Sequence, residues 1–321
     1  MHHYTTRLIV LMAAISLQAC ASRRPPSLAD RFMVDRSTKA PHERDEPPQP
    51  TLEEAIGKIR KLMAEARPTP RAAATTLEER DAVLIAARAR LEASQTPEAF
   101  VEVADVYRTR GLLDQAYDHY TRALRLNSRL AGAYEGLARV WRDWGLAHLG
   151  LSDAYRAVYF APDSATARNT LGTLLQALGH RSDARQAYEA ALSRDAQAAY
   201  ASNNLCYLSF VEGKSSQAIS ECQTALRLDP NMSAARNNLA LTYAAIGRPD
   251  MARREFVEAG GAAGGAYNMG VVHLAQKHYS EAAGEFDAAH AAQPAFADAQ
   301  RMARQARQHG FDAQKIEDSR P

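Results

Sequence analysis

Asn203-Asn204-Leu205 recurs 34 residues later as Asn237-Asn238-Leu239, and the interval belongs to a longer pattern. From Pro97 onward, small residues, aromatics and glycines return at the same count. A chain that rewrites one short unit buries its apolar surface between neighbouring copies, so its shape is a stack of units. Apolar residues make up 46% of the chain but aromatics only 7%, and alanine is abundant. That balance favours closely packed helices over sheets.

Aligned by count, six repeats emerge. Repeat one, Pro97–Leu130, carries Phe100, Ala104, Tyr107, Gly111, Ala116, Tyr120 and Ala123. Repeat two, Ala131–Ser164, carries Tyr134, Leu137, Ala138, Trp141, Gly145, Ala157 and Pro162, with Gly150 where the others place alanine. Repeat three, Ala165–Ala198, has Leu171, Gly172, Gly179, Ala184, Tyr188 and Ala191. Repeat four, Ala199–Met232, has Leu205, Cys206, Gly213, Ala218, Cys222, Ala225 and Pro230. Repeat five starts at Ser233 with Leu239, Ala240, Tyr243, Gly247, Ala252, Phe256 and Ala259, and is four residues short. Repeat six, Ala263–Phe296, has Met269, Gly270, Ala282, Phe286, Ala289 and Pro294, with Lys277 at position 15 in place of glycine.

This register resembles the tetratricopeptide repeat family over about two-thirds of the chain. The resemblance implies an all-α, right-handed α-solenoid of about six helix hairpins over 97–296. In such a hairpin, small residues at positions 8 and 20 let the two helices approach, and large ones at 4, 11 and 24 fill the gaps between hairpins. Glycine at 15 makes the turn, and proline at 32 ends the second helix. Residues 297–321 read as a polar capping helix, Ala297–Gly310, followed by a disordered tail. Ahead of the repeats, 51–96 reads as two amphipathic helices, Leu52–Ala66 and Thr76–Ser94. The short repeat five runs into Gly260-Gly261-Ala262-Ala263-Gly264-Gly265, a poor helix former that reads as a flexible joint. No GK[ST] follows it, so it is not a phosphate-cradling loop.

The first residues read as an address. MHHYTTR and the apolar LIVLMAAISL form the start of a secretory signal over 1–19, too short to span a bilayer. Leu17-Gln18-Ala19-Cys20 resembles a bacterial lipobox, which implies that Cys20 is acylated and becomes the first mature residue. An ordinary signal peptide or a membrane anchor with an incidental cysteine is the other reading. Eight of the 14 prolines lie in the first seventy residues, and 20–50 is charged with little apolar content, a composition for a disordered tether. With Ala21 rather than aspartate after Cys20, the sorting rule of Gram-negative lipoproteins implies the outer membrane, facing the periplasm.

The chemistry of catalysis is missing from the sequence. The ten histidines include no HExxH pair, no GxSxG occurs, and no CxxC offers a zinc site, so neither an enzyme, a metal nor a cofactor is expected. The formal charge of +2 gives no basic face for nucleic acid, and nothing suggests a small-molecule substrate. The resemblance implies protein partners instead, bound as peptide or helix segments in a concave groove. Its members use groove asparagines to hydrogen-bond a ligand backbone, which puts Asn203, Asn204, Asn237, Asn238 and Asn268 in that groove. Tyr200, Tyr207 and Phe210 stand beside Asn204 as an expected aromatic anchor; packing between helices is the competing reading. Cys206 and Cys222, at positions 8 and 24 of repeat four, are either a disulfide or two buried thiols. By overall plan the chain resembles tetratricopeptide lipoproteins of Flp pilus assembly and secretin-escorting pilotins. That implies a scaffold in assembly of an envelope machine; an adaptor for peptidoglycan enzymes or a protease is the alternative.

Overall fold

The computed structural model describes residues 80–318, and the expected leader, Cys20, the tether and the helix over Leu52–Ala66 lie outside the described residues. Among the described residues there are thirteen helices and no strand. In chain order they are α1 (Ala82–Ala93), α2 (Pro97–Thr109), α3 (Leu113–Leu126), α4 (Ala131–Asp143), α5 (Ala147–Phe160), α6 (Ala165–Ala177) and α7 (Arg181–Arg194). There follow α8 (Ala199–Val211), α9 (Ser215–Leu228), α10 (Ser233–Ala245), α11 (Pro249–Ala275), α12 (Tyr279–Ala292) and α13 (Ala297–Asp318). This is an all-α solenoid. The described residues form two compact units, 80–153 and 154–318, divided inside α5.

Every hairpin turn is made the same way. The amide at position 16 donates to the carbonyl at position 11, as in Leu112 to Tyr107 (2.9 Å), His180 to Leu175 (2.9 Å) and Lys214 to Ser209 (2.9 Å). That bond forces position 15 into the left-handed region, where glycine alone is unstrained. Gly111, Gly145, Gly179, Gly213 and Gly247 all have positive φ there. Lys277 takes the sixth such turn at φ 64, the one non-glycine residue with positive φ among the described residues.

Close approach is bought by small residues at the crossing point. A Cβ on Gly172 would lie 2.5 Å from the Tyr188 ring, and one on Gly270 would lie 2.8 Å from Phe286. In repeat one the corresponding pair is Ala104 and Tyr120, both fully buried. In repeat four it is Cys206 and Cys222, whose sulfurs are bonded, with Cα atoms 5.1 Å apart. The disulfide thus stands where other repeats stack an aromatic ring on a small residue.

Three expectations are corrected. The helix expected over Thr76–Ser94 is interrupted at Asp81, which caps α1 by accepting from the Val83 and Leu84 amides (3.0 and 3.1 Å) and also pairs with Arg110 (2.6 Å). The glycine-rich joint is a kink inside α11 at Gly261 (φ 69, ψ −176); Gly265 lies so near Val257 that an added Cβ would meet its backbone at 3.0 Å, while Gly260, Gly261 and Gly264 have nothing within 4 Å. The expected tail is helical as far as Asp318, since no proline interrupts the run before Pro321. Ala299, Ala303 and Ala306 form the buried stripe of α13; Ala303 and Ala306 pack with Phe286, and Ala299 with Ala266 and Ala289.

Candidate protein-binding face

In the C-terminal unit the first helices of successive repeats lie side by side, α6 against α8 and α8 against α10, with the second half of α11 following. Their shared face carries the paired asparagines. Asn204 Nδ2 donates to Asn169 Oδ1 (2.8 Å), Asn238 Nδ2 to Asn203 Oδ1 (2.9 Å), and Asn268 Nδ2 to Asn237 Oδ1 (3.4 Å). Each rung joins position 6 of one repeat to position 5 of the repeat before it. The doubled asparagine therefore serves two junctions at once, the first residue accepting from the next repeat and the second donating to the previous one.

Asn169 was not among the expected residues, although it begins the ladder. The signal lies in the spacing: asparagines 35 residues apart (169 and 204, 203 and 238), shortened to 31 (237 and 268) across the short repeat. Asn238 is 6% exposed and braced in its rung, so its side chain is a structural member rather than an open groove donor. Asn203, Asn204, Asn237 and Asn268 are half-buried on the face.

The expected aromatic cluster is not one patch. Phe210 is 3% exposed and packs with Cys206, Cys222, Leu239 and Phe256 in the core, because position 12 of α8 turns toward repeat five. Tyr200 packs half-buried against Ala165, Ala191, Ala198 and Ala201 at the junction with repeat three. Tyr207 remains half-buried beside the ladder; burial raises its phenol above the ordinary value, with Arg181 nearby acting the other way. Tyr267, not among the expected residues, is half-buried and stacks on Phe296 (4.8 Å) and edge-on to Phe286 (5.3 Å).

Several ion pairs link the second helices. Arg185, on the second helix of repeat three, donates to Ser209 (3.0 Å) and Glu212 (2.9 Å) and also reaches Glu221 (3.2 Å). Burial pushes the Glu212 carboxyl up, but hydrogen bonds from Lys214 and Arg185 outweigh it and hold the carboxyl below its usual range. Arg253 pairs with Glu285 at the equivalent positions of repeats five and six. These ion pairs brace second helices, while Arg168 and Arg236 stand at position 4 of first helices and Arg181 lies near Tyr207.

The tetratricopeptide repeat family model matches residues 169–231 and 210–266. None of the curated proteins compared matches the chain. Among solved structures it is similar to a chain of the APC/C hetero-tetramer Cut9–Hcn1 (16% identity, TM-score 0.59, 70% of this chain and 46% of that one). The chain thus spans under half the length of that relative. It is also similar to a tetratricopeptide repeat protein from Parabacteroides merdae (18% identity, TM-score 0.53, covering 79% and 98%). A third is Pseudomonas aeruginosa pilF (21% identity, TM-score 0.50, covering 64% and 95%). Residues 169–266 carry tetratricopeptide repeats, and the described chain has the fold of a tetratricopeptide solenoid.

Proposed function

We propose that this chain is a lipid-anchored scaffold of the bacterial cell envelope, which holds partner proteins during assembly of a pilus or secretion machine. The observation that carries the binding part is the amide ladder on the first-helix face, its asparagines half-buried apart from the nearly buried Asn238, with Tyr207 beside it. Anchoring rests on Leu17-Gln18-Ala19-Cys20 and the proline-rich stretch that follows. Several acyl chains on Cys20 would make release from the membrane negligible, whereas one holds only marginally. The machine rests on the plan of leader, cysteine, tether and solenoid, an argument from architecture.

Two measurements test the reading. Mass spectrometry of the mature N-terminus is expected to find a lipidated Cys20, with Cys20→Ser leaving the protein soluble or unprocessed; cleavage elsewhere without lipid overturns the anchor. Cross-linking in cells from the position of Tyr207 is expected to capture pilus or secretion components. Capture of cell-wall hydrolases alone would replace that machine with a peptidoglycan adaptor.

A further inference from the structure

We propose that residues 52–66 dock as a helix on the open seam of α1, adding one hairpin at the N-terminal end of the solenoid. α1 holds the place of a second helix. Leu84, Ala87 and Leu91 pack with Val103 and Ala104 of α2, and α1 lies along α2 as α3 lies along α4. Counting back from the helix ends aligns α1 with α3: Ser94 donates to the Arg90 carbonyl and Asn127 to the Ala123 carbonyl (both 2.9 Å). Val83, Ala87 and Arg90 then match Ala116, Tyr120 and Ala123. Those three residues of α3 are fully buried, whereas Val83 is 55% exposed and Arg90 is open apart from its pair with Glu102. Ala82, Ile85, Ala86 and Ala89 are exposed too. α1 is therefore apolar both toward α2 and away from it, the pattern of a helix enclosed by neighbours.

The chain supplies its own occupant. Leu52, Ile56, Ile59, Met63 and Ala66 recur at spacings of four and three, with charged residues between them. A lone helix of that length is marginal in water and draws its stability from packing an apolar face. The seam of α1 offers such a face: Val83 above small alanines, against which the larger Ile59 and Met63 can approach closely. The connector, residues 67–81, ends at Asp81, which is fixed by capping α1 and pairing with Arg110. α1 is 12 residues long, about 18 Å, so a connector of that length reaches every part of it. It also holds the segment at an effective concentration of order millimolar, which a partner protein or a second copy would have to exceed. For a lipid-anchored chain, docking moves the start of the folded body from 82 to 52 and shortens the tether; that consequence alone rests on the anchor reading above.

Hydrogen exchange of the full chain, read by mass spectrometry, tests the docking. Amides of residues 56–66 are expected to exchange about tenfold or more slower than in an unfolded chain. Val83→Asp and Ile59→Asp are each expected to abolish that slowing, while the amides of α2 and α3 keep theirs. Aspartate in a first turn suits the helix dipole, so Val83→Asp leaves α1 itself helical. Ile59→Asp changes nothing within 80–318, so it decides the matter even if Val83→Asp loosens α1. Coil-like exchange of 56–66 in the unaltered chain overturns the inference. Slowing that survives Ile59→Asp, or survives Val83→Asp, overturns it as well, because the segment then packs elsewhere. Slowing lost on dilution would assign the seam to a second copy and overturn docking within one chain.

Discussion

The two compact units share one hairpin and differ in what joins its first helices. In the N-terminal unit the joint between α2 and α4 is ionised: Arg108 reaches across repeats to Asp143 (3.3 Å). Within repeat one the Tyr120 hydroxyl of α3 donates to Asp105 of α2 (2.6 Å), and Glu135 pairs with Arg139 inside α4. An aromatic trio packs beside them, Tyr117, Trp141 and Trp144, with centroids 5.1 to 5.6 Å apart. In the C-terminal unit the equivalent layer is neutral and joined by amides. The Arg108–Asp143 pair ties two helices by charge, while an amide rung ties them with neutral groups, using one N–H of one amide and one lone pair of the other.

The largest way to separate the units lies in the sulfurs. Closing a loop with a sequence separation of 16 stabilises by about 3 kcal/mol in the chain-entropy account. Replacing Cys206 and Cys222 together by alanine is expected to lower the melting temperature of the C-terminal unit by about 6–12 °C. Hydrogen exchange should find the N-terminal unit unchanged, since its crossing pair is Ala104 and Tyr120. The sharpening variant is Cys206→Gly with Cys222→Tyr, which copies the Gly172–Tyr188 crossing and is expected to recover most of the loss. Equal weakening of both units by the alanine pair would break the comparison.

A smaller effect tests the charge contrast itself. Tyr120 and Tyr188 occupy the same repeat position and both are fully buried, but Tyr120 donates to a carboxylate and Tyr188 to the Gln176 side-chain amide (3.1 Å). Burial holds the Tyr120 phenol far above its ordinary value, and Asp105 adds to it, so the hydroxyl stays protonated as a donor. Tyr120→Phe is expected to cost about 2 kcal/mol and Tyr188→Phe about 1 kcal/mol in urea unfolding. Equal costs would show that charge contributes nothing to the distinction.

How far these features could be read from the sequence depends on the distance over which they are encoded. The turn residues are local: position 15 marks all six hairpins, Lys277 included, because one left-handed residue is required wherever the helix closes on itself. The pairing of positions 8 and 24 brings Cys206 to Cys222 for the same reason, as one hairpin sets the geometry. The ladder was harder. Asparagines at 203 and 204 look alike in sequence, and only the packing of adjacent repeats separates the acceptor from the donor. Phe210 was left between groove and packing because its helix is apolar on nearly every side, so periodicity could not distinguish the side facing repeat five from the side facing solvent.

The turn offers a matched pair of substitutions, one in each unit. A non-glycine residue in the left-handed region carries about 1–2 kcal/mol of strain. Lys277→Gly is therefore expected to stabilise the C-terminal unit by about 1 kcal/mol, and Gly111→Lys, at φ 76, to destabilise the N-terminal unit by a similar amount. Nothing lies within 4 Å of a Cβ added at Gly111, so packing does not confuse the second measurement. Thermal unfolding of both variants checks the pair. A Lys277→Gly variant that gains nothing would mean that its side chain makes good the strain.

The finest distinction is between one rung and one surface ion pair, each joining two helices. Asn203 with Asn238 is a neutral pair at 2.9 Å in which Asn238 is nearly buried. Arg90 with Glu102 is a charged pair whose side chains are 55% and 43% exposed. Double-mutant cycles to alanine isolate each coupling from the other effects of truncation. The rung is expected to give about 0.5–1.5 kcal/mol, the usual net worth of a hydrogen bond. The ion pair is expected to give less, because solvent screens it and two long side chains must be ordered to form it. Raising the salt to about 1 M shortens the screening length to about 3 Å and should erase most of the second coupling while leaving the first. Salt-sensitive coupling at the rung would mean that its strength comes from charges elsewhere in the unit, and the neutral layer would lose its meaning as a device. Coupling that persists for Arg90 and Glu102 at high salt would place that pair with the half-buried Arg108 and Asp143, whose side chains are 16% and 19% exposed.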